Sequence, residues 1–125
     1  MKYLIDSNIL IDYLRGDDKI ADFLHQIEKT QTQICISVIT EYELLCGVNI
    51  KFPEKILKIE QLLSLLPSFD VNSDIVQTAA SFFRKYKTDI ADSLIAATSI
   101  QTNSVLITRN LKHFQNIKEI KVQSV

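Results

Sequence analysis

Residues 3–14 of the chain, YLIDSNILIDYL, contain two apolar runs separated by a carboxylate, a serine and an asparagine. The run KYLID, residues 2–6, predicts a short buried strand that ends at Asp6. Ser7 can cap a helix over residues 8–14 that stops at Gly16. A neutral turn would connect such a strand and helix equally well, so the acid after the first strand needs an explanation of its own.

Length and composition limit the class of protein. The 125 residues fit one domain, which we expect to span residues 1–125. With 46% hydrophobic residues, 23% charged residues and a net charge of -1, the chain is typical of globular proteins and not of disordered or strongly basic ones. Cys35 and Cys46 form no CxxC motif, which argues against a disulfide framework or a zinc site and favours the cytoplasm. No apolar run approaches about 18 residues and no signal-peptide pattern is visible, so no membrane is expected.

Apolar periodicity predicts strands that alternate with helices. Further strands are expected at residues 33–37, 68–71, 104–108 and 119–125, and further helices at residues 17–29, 38–48, 53–66, 73–86 and 90–102. Hairpin signals are few, which favours parallel strands joined by right-handed crossovers. The predicted fold is therefore an α/β, three-layer α/β/α sandwich with a mainly parallel central sheet of about five strands, the last of them at an edge.

Acidic side chains fall where such a sheet would gather functional groups, beyond the carboxyl ends of its strands. Asp6 ends the first strand, Glu41 and Glu43 follow the second, and Asp92 lies near the start of the helix before the fourth. Taken singly, Asp6 is explained as a helix cap or Asx-turn and the others as solvated helix residues. Glu41 and Glu43 flank the same apolar face of a helix, so periodicity does not choose between them.

Convergence of these acids would have an electrostatic consequence. Two carboxylates about 4 Å apart repel by roughly 4 kcal/mol at an effective dielectric constant near 20. A cluster of three would therefore raise its own pKa values or recruit a cation. Carboxylates, with the amide of Asn110 after the fourth strand, form an all-oxygen ligand set that suits Mg²⁺ or Mn²⁺ better than zinc.

Four motifs, in order, give the chain a family resemblance. They are YLIDSNILIDYL with Asp-x-Asn, ISVITEYELLCG with Thr-x-x-Glu-Leu-x-x-Gly, DIADSLIAATSI with Asp-x-x-Ile-Ala-Ala, and SVLITRNLKHF with Thr-Arg-Asn and a later Phe. Together they resemble the PIN-domain family, and more narrowly the VapC-like toxins of type II toxin–antitoxin systems. The resemblance covers nearly the whole chain and implies a PIN-like fold.

The resemblance implies roles for individual residues. Asp6, Glu43 and Asp92 would be the catalytic acids and metal ligands, with Glu43 preferred to Glu41 by the register of Thr40 and Gly47. Asn110 would be a weaker ligand, because many relatives carry a fourth acid there, and His113 stands where relatives commonly show Asp or Glu. The expected supporting residues are Asn8, Thr108 and Asp89.

The activity implied by the resemblance is that of a metal-dependent endoribonuclease. A water activated by Mg²⁺ or Mn²⁺ would hydrolyse phosphodiester bonds in structured RNA, transfer RNA above all. A VapB-like antitoxin would be the protein partner, and DNA would be met only through it. Four cations near the motifs, otherwise an ordinary solvated surface, are expected to bind the RNA: Lys85, Lys87, Arg109 and Lys112. The helix at residues 53–66 is apolar on more than one face, which favours a homodimer or an antitoxin contact.

Two alternatives stay open. The first alternative is a PIN-fold binding module that has lost catalysis, for which Asn110 in place of an acid is the best argument. The other alternative is a phosphoacceptor receiver domain, also a compact α/β fold. A receiver would need paired acids after the first strand and a Lys after the fifth, and this chain has a single acid after the first.

Overall fold

The structure, a computed structural model, describes residues 1–47 and 52–125. In these residues the chain forms five strands, namely β1 (Lys2–Ile5), β2 (Gln33–Ser37), β3 (Ser68–Phe69), β4 (Val105–Thr108) and β5 (Lys121–Ser124). Seven helices accompany them: α1 (Ser7–Leu14), α2 (Asp18–Glu28), α3 (Val38–Cys46), α4 (Pro53–Ser64), α5 (Ser73–Tyr86), α6 (Ile90–Gln101) and α7 (Leu111–Phe114). None of the helices in these ranges combines the length and the apolar character needed to cross a bilayer.

The strands form one parallel sheet in the order β3-β2-β1-β4-β5. β1 is central, and its Leu4 aligns with Cys35 of β2 on one side and Leu106 of β4 on the other. β5 lies at an edge beside β4. The predicted three-layer α/β fold with a parallel five-stranded sheet is confirmed.

Alternation along the strands divides the core between the two faces of the sheet. Leu4, Cys35 and Leu106 are buried in one cluster, with side chains of α5, α6 and α7. The next residue of each strand points the other way, so Ile5, Ile36 and Ile107 join a second cluster with side chains of α1 to α4. Helices therefore cover both faces of the sheet.

Side-chain caps define the starts of two helices, and one of them differs from the expected cap. Asp6, not Ser7, caps α1, because Asp6 has the extended backbone and its side chain accepts a hydrogen bond from the Ser7 amide. Asn72 has an extended backbone too, and its side chain caps α5 by accepting from the Ile75 amide. Ser7 is already the first residue of α1, which places Asp6 at the junction of strand and helix.

Other boundaries shift by a few residues. β3 is only two residues long, shorter than the predicted strand at residues 68–71. α3 ends at Cys46, and Val48, the last residue of the predicted helix at 38–48, lies outside the described residues. The short helix α7 is not predicted by the sequence, because four residues contain too little periodicity to signal a helix.

Candidate functional site

Asp6 lies at the carboxyl end of the central strand and is only 4% exposed. The Thr108 hydroxyl donates to its Oδ2 over 2.7 Å, and the Ser7 amide donates to its Oδ1 over 2.8 Å. Burial nevertheless raises the pKa of Asp6, although these two hydrogen bonds and the nearby His113 lower it. The acid is therefore fixed in place and held in surroundings that disfavour its charge.

Glu43 reaches the same neighbourhood from α3, which begins directly after β2. Its Oε1 is buried and makes no hydrogen bond to the residues that the structure describes. Burial raises the pKa of Glu43, the Ser7 hydroxyl lowers it, and the charges of Asp6, Asp92 and Asp89 raise it further. Glu43 thus feels the other acids of the predicted site, and one of its oxygens is left without a partner in the described part of the chain.

Asp92 is the third acid, on the first turn of α6. Its side chain is 15% exposed, and its Oδ2 lies 3.2 Å from Nδ1 of His113. Burial and the charge of Asp89 raise the pKa of Asp92 to about 6, with a further contribution from Asp6, while His113 lowers it. Asp89 itself caps α6, its side chain accepting from the Ala91 amide over 2.8 Å.

The structure brings Asp6, Glu43 and Asp92 within electrostatic reach of one another, since the charges of the group shift the pKa values of its members. It does not assemble them around one point. Among residues 1–47 and 52–125, no three His, Cys, Asp or Glu side chains stand close enough to hold a metal ion as they are oriented here. Both oxygens of Asp6 accept hydrogen bonds, and one oxygen of Asp92 faces His113.

The predicted supporting residues differ in what they contact. Thr108 is fully buried, and besides donating to Asp6 its Oγ1 accepts from the Asn110 amide over 2.9 Å. Asn110 precedes α7, and its half-buried side chain makes no capping hydrogen bond. Asn8 is half-buried on the first turn of α1, and no hydrogen bond joins it to the acids in the described part of the chain.

A groove of about 310 Å³ opens beside Asp92. It is lined by residues from the end of α5, the start of α6, and α7 with the turn after it: Tyr86, Lys87, Thr88, Asp89, Asp92, Lys112, His113 and Asn116. We call it the α5–α7 groove. Two of the four cations predicted to bind RNA, Lys87 and Lys112, therefore lie beside a predicted catalytic acid.

The other two cations have partners elsewhere. The Arg109 guanidinium donates to Asp12 over 2.8 Å and to Asp17 over 2.7 Å, which ties the end of β4 to α1 and to the cap of α2. Lys85 lies 3.9 Å from Glu119 and over the ring of Tyr86. Because two carboxylates already engage Arg109, its guanidinium is a weaker candidate for RNA binding than the lysines of the groove.

Sequence reasoning does not foresee two contacts of the site. The sequence gives His113 no role in the site beyond its place where relatives commonly show an acid, yet it contacts Asp92. It predicts Ser7 only as a helix cap, yet the Ser7 amide binds Asp6 and the Ser7 hydroxyl acts on Glu43. In the sequence, the signal for the His113 contact is its position three residues after Asn110. The signal for the Ser7 contacts is the Asp-Ser-Asn turn.

Comparisons with known proteins agree with this architecture. The PIN domain family model matches residues 3–120. Ribonuclease VapC19 of Mycobacterium tuberculosis is 30% identical over 123 residues, which cover 94% of this chain and 96% of the relative. Ribonuclease VapC1 of Methanocaldococcus jannaschii is also 30% identical over 123 residues, covering 94% of this chain and 82% of the relative.

Solved structures show the same similarity in three dimensions. VapBC2 from Rickettsia felis, bound to a DNA fragment from its promoter, contains a chain that superposes with a TM-score of 0.90 at 25% identity, covering 100% of this chain and 99% of that one. A toxin–antitoxin complex from Klebsiella pneumoniae gives a TM-score of 0.80 at 30% identity, with 94% of each chain covered.

Proposed function

The chain belongs to the PIN domain family and is VapC-like, and from this premise we propose that it is a metal-dependent endoribonuclease, the toxin of a type II toxin–antitoxin pair. Its substrate is structured RNA, transfer RNA in the first instance. Relatives named as ribonucleases match over nearly the whole chain, which supports the nuclease activity. The same matches leave the receiver-domain alternative without support.

The observation that carries this proposal is that three carboxylates from distant parts of the chain lie within electrostatic reach of one another. Asp6 follows β1, Glu43 lies on the helix after β2, and Asp92 lies on the helix before β4. The pKa of each of these carboxyls is raised. A structural cluster would be expected to pair such acids with Arg or Lys. Here the imidazole of His113 contacts Asp92, and Glu43 Oε1 has no partner among the described residues. This deficit of positive charge is what a cation would correct.

The donor set fits a hard dication in its chemistry. Asp6, Glu43 and Asp92 supply carboxylate oxygens, and Asn110 supplies an amide oxygen as a weaker ligand. An ion held by Asp92 Oδ2 would have to displace His113 from that oxygen, and no three-ligand cluster is assembled in residues 1–47 and 52–125. We propose Mg²⁺ or Mn²⁺ as the cofactor.

The chain's own residues prepare the site for hydrolysis. Thr108 and the Ser7 amide hold the Asp6 carboxylate in one orientation, and the Thr108 contact also fixes the Asn110 backbone. Asp89 caps α6 and so positions Asp92 on its first turn. When bound, the ion would lower the pKa of a water and offset charge on the phosphoryl oxygens. No nucleophilic side chain is needed.

Cleavage of a transfer-RNA pool tests the proposal. We expect cleavage with Mg²⁺ or Mn²⁺, none in EDTA, and a loss of at least about a hundredfold in Asp6→Asn or Glu43→Gln, because each variant removes a ligand charge. Glu41→Gln is the matched control, since it removes the neighbouring acid of the same helix. Equal losses in Glu41→Gln and Glu43→Gln would contradict the assignment of Glu43.

A catalytically silent binding module is the second candidate. Asn110 in place of an acid and the absence of an assembled three-ligand cluster in the described residues favour it. The same assay separates the two candidates. RNA that is bound but left intact, whatever the metal and whatever the residue at position 6, would establish the module and overturn the enzyme.

The proposed partners are a VapB-like antitoxin and a second copy of the chain. The solved relatives are described as VapBC and toxin–antitoxin complexes, which supports the antitoxin. Large apolar side chains on α3 and α4 are exposed and available for contact, namely Tyr42, Leu45 and Leu57. Light scattering across a concentration series should give the mass of a dimer. A monomer at every concentration would contradict the homodimer without affecting the nuclease assay.

A further inference from the structure

The α5–α7 groove is lined on one side by the proposed catalytic acid Asp92. Its other side is lined by residues that have no role in the proposed hydrolysis. Asp92, on α6, is the predicted catalytic acid in its lining. Facing residues come from the end of α5 and from α7 with the turn that follows it. Its volume of about 310 Å³ is at the lower end of small-ligand pockets, roughly 300–1,000 Å³, which is room for one small unit of a polymer.

Lys87 and Lys112 give the groove cations that can meet phosphate. Both are exposed, and neither forms an ion pair with a residue in the described ranges. Lys87 is held at the end of α5 in a left-handed conformation, with φ of 55°, which an L-residue seldom adopts. This conformation ends α5 as its cap and places Lys87 in the lining of the groove.

The remaining lining suits a nucleobase. The Tyr86 hydroxyl donates to Glu119 and its ring packs 6.1 Å from that of Phe82, so Tyr86 is a fixed aromatic wall. Asn116 is exposed, and its amide makes no hydrogen bond to the other residues of the described ranges. An amide offers both a donor and an acceptor, the pair that reads the edge of an unpaired base.

From this arrangement we propose that the α5–α7 groove seats one unpaired RNA nucleotide next to the cleaved bond. Lys87 and Lys112 hold its phosphate, and Asn116 reads its base edge and determines base preference. The inference rests on the proposed nuclease function and narrows its substrate to unpaired segments of RNA.

Salt dependence of binding tests the phosphate contacts. The measurement is fluorescence anisotropy of a labelled single-stranded RNA with Mg²⁺ present, in an Asp6→Asn background that stops cleavage without changing the groove lining. Lys87→Gly and Lys112→Ala should each weaken binding and reduce the slope of log K against log salt by about 0.7 for each phosphate that is no longer neutralised. Lys58→Ala, on α4, is the matched control and should leave the slope unchanged. Slopes in Lys87→Gly and Lys112→Ala equal to that of Lys58→Ala would overturn the phosphate seat.

Base preference tests the role of Asn116. In the same Asp6→Asn background, the binding affinity should differ between oligonucleotides of A, U, C and G. Asn116→Ala should reduce the ratio between the strongest and the weakest affinity by roughly fivefold or more, while leaving the salt slope unchanged. Asn116→Gln should restore part of the ranking, because it keeps the amide. A ranking that survives in Asn116→Ala would overturn base reading. Equal affinity for DNA oligonucleotides would overturn RNA as the occupant.

Failure of this inference differs visibly from failure of the nuclease proposal. If the unmodified chain cleaves RNA but the groove variants bind as the control does, the nuclease stands and the nucleotide seat is wrong. If the unmodified chain cleaves nothing, the nuclease fails whatever the groove variants do.

Discussion

Asp6 has a structural role as a helix cap and, in the nuclease that we propose, a chemical role as well. As the cap of α1 it satisfies the Ser7 amide, which any capping residue would do. A serine or asparagine cap would accept the same hydrogen bond without carrying a charge. Asp6 also accepts a hydrogen bond from the Thr108 hydroxyl, and it is almost fully buried with a raised pKa. Capping alone therefore does not require an acid at position 6, and the metal site that we propose gives its charge a function.

The raised pKa values make the metal-free protein sensitive to pH. The pKa of Asp92 is about 6 in the folded chain and has its ordinary value of 3.8 in the unfolded chain, so folding retains a proton that the unfolded chain has lost. The free energy of unfolding should then fall as the pH rises from the unfolded pKa of 3.8 through the folded pKa of about 6. Asp6 and Glu43 act in the same direction, because their pKa values are also raised. We expect urea unfolding in EDTA to give a free energy of unfolding higher at pH 5 than at pH 7 by on the order of 1–2 kcal/mol.

Two variants check the origin of that slope. Asp92→Asn should flatten it, because the shifted carboxyl is gone. Asp70→Asn, which removes an exposed acid just after β3, should leave it as it was. The opposite sign, a protein that gains stability from pH 5 to pH 7 in EDTA, would show that the three acids are not held in the surroundings described.

The junction of α5 and α6 lines the groove and leads directly into the helix that carries Asp92. Its backbone turns at Lys87, whose amide donates to the Phe83 carbonyl over 2.9 Å while φ is 55°. A left-handed conformation costs an L-residue about 1–2 kcal/mol, and glycine adopts it freely. The junction therefore carries strain in a position where glycine would remove it.

Lys87→Gly should raise the free energy of unfolding by about 1 kcal/mol, measured by urea or thermal unfolding. Lys87→Ala removes the same charge but keeps the strained backbone, so it should give no such gain. Lys85→Gly, two residues earlier and inside α5, should lose about 1 kcal/mol because glycine is a poor helix former. A Lys87→Gly protein no more stable than Lys87→Ala would contradict the strain.

Elements with strong periodicity are predictable, and those decided by distant contacts are not. β2 and α5 have the predicted bounds because each is a clear apolar pattern between polar residues. The sequence allows either Ser7 or Asp6 to cap α1, because Asp and Ser are equally good caps, and only the backbone shows that Asp6 is the extended residue. Arg109 pairs with acids more than ninety positions away, and no local pattern signals such a pair.

The site as a whole is predictable in composition and less so in geometry. Helical periodicity leaves Glu41 and Glu43 equivalent, and the family register prefers Glu43. In the structure Glu43 is the acid whose pKa responds to Asp6 and Asp92. The contact between His113 and Asp92 depends on where α7 packs, which the sequence does not encode locally.

At the scale of the molecule, the three acids come within electrostatic reach of one another only when the sheet is complete. β1 lies between β2 and β4, so the edge beyond it gathers residues from both halves of the chain. An unfolded chain holds Asp6, Glu43 and Asp92 far apart and offers no shared site. Binding of an ion should therefore be coupled to folding, and it should be measurable without RNA.

Adding Mn²⁺ or Mg²⁺ should raise the melting temperature, with a stabilisation of about 2.7 kcal/mol once the ion reaches a hundred times its Kd. The gain should be larger at pH 8 than at pH 5, because the ion must displace protons from carboxyls whose pKa the fold has raised. Glu43→Gln should abolish the shift and Glu41→Gln should keep it. An unmodified protein whose melting temperature ignores millimolar Mn²⁺ at pH 8 would show that the three acids bind no cation, and the deficit of positive charge at the sheet edge would need another explanation.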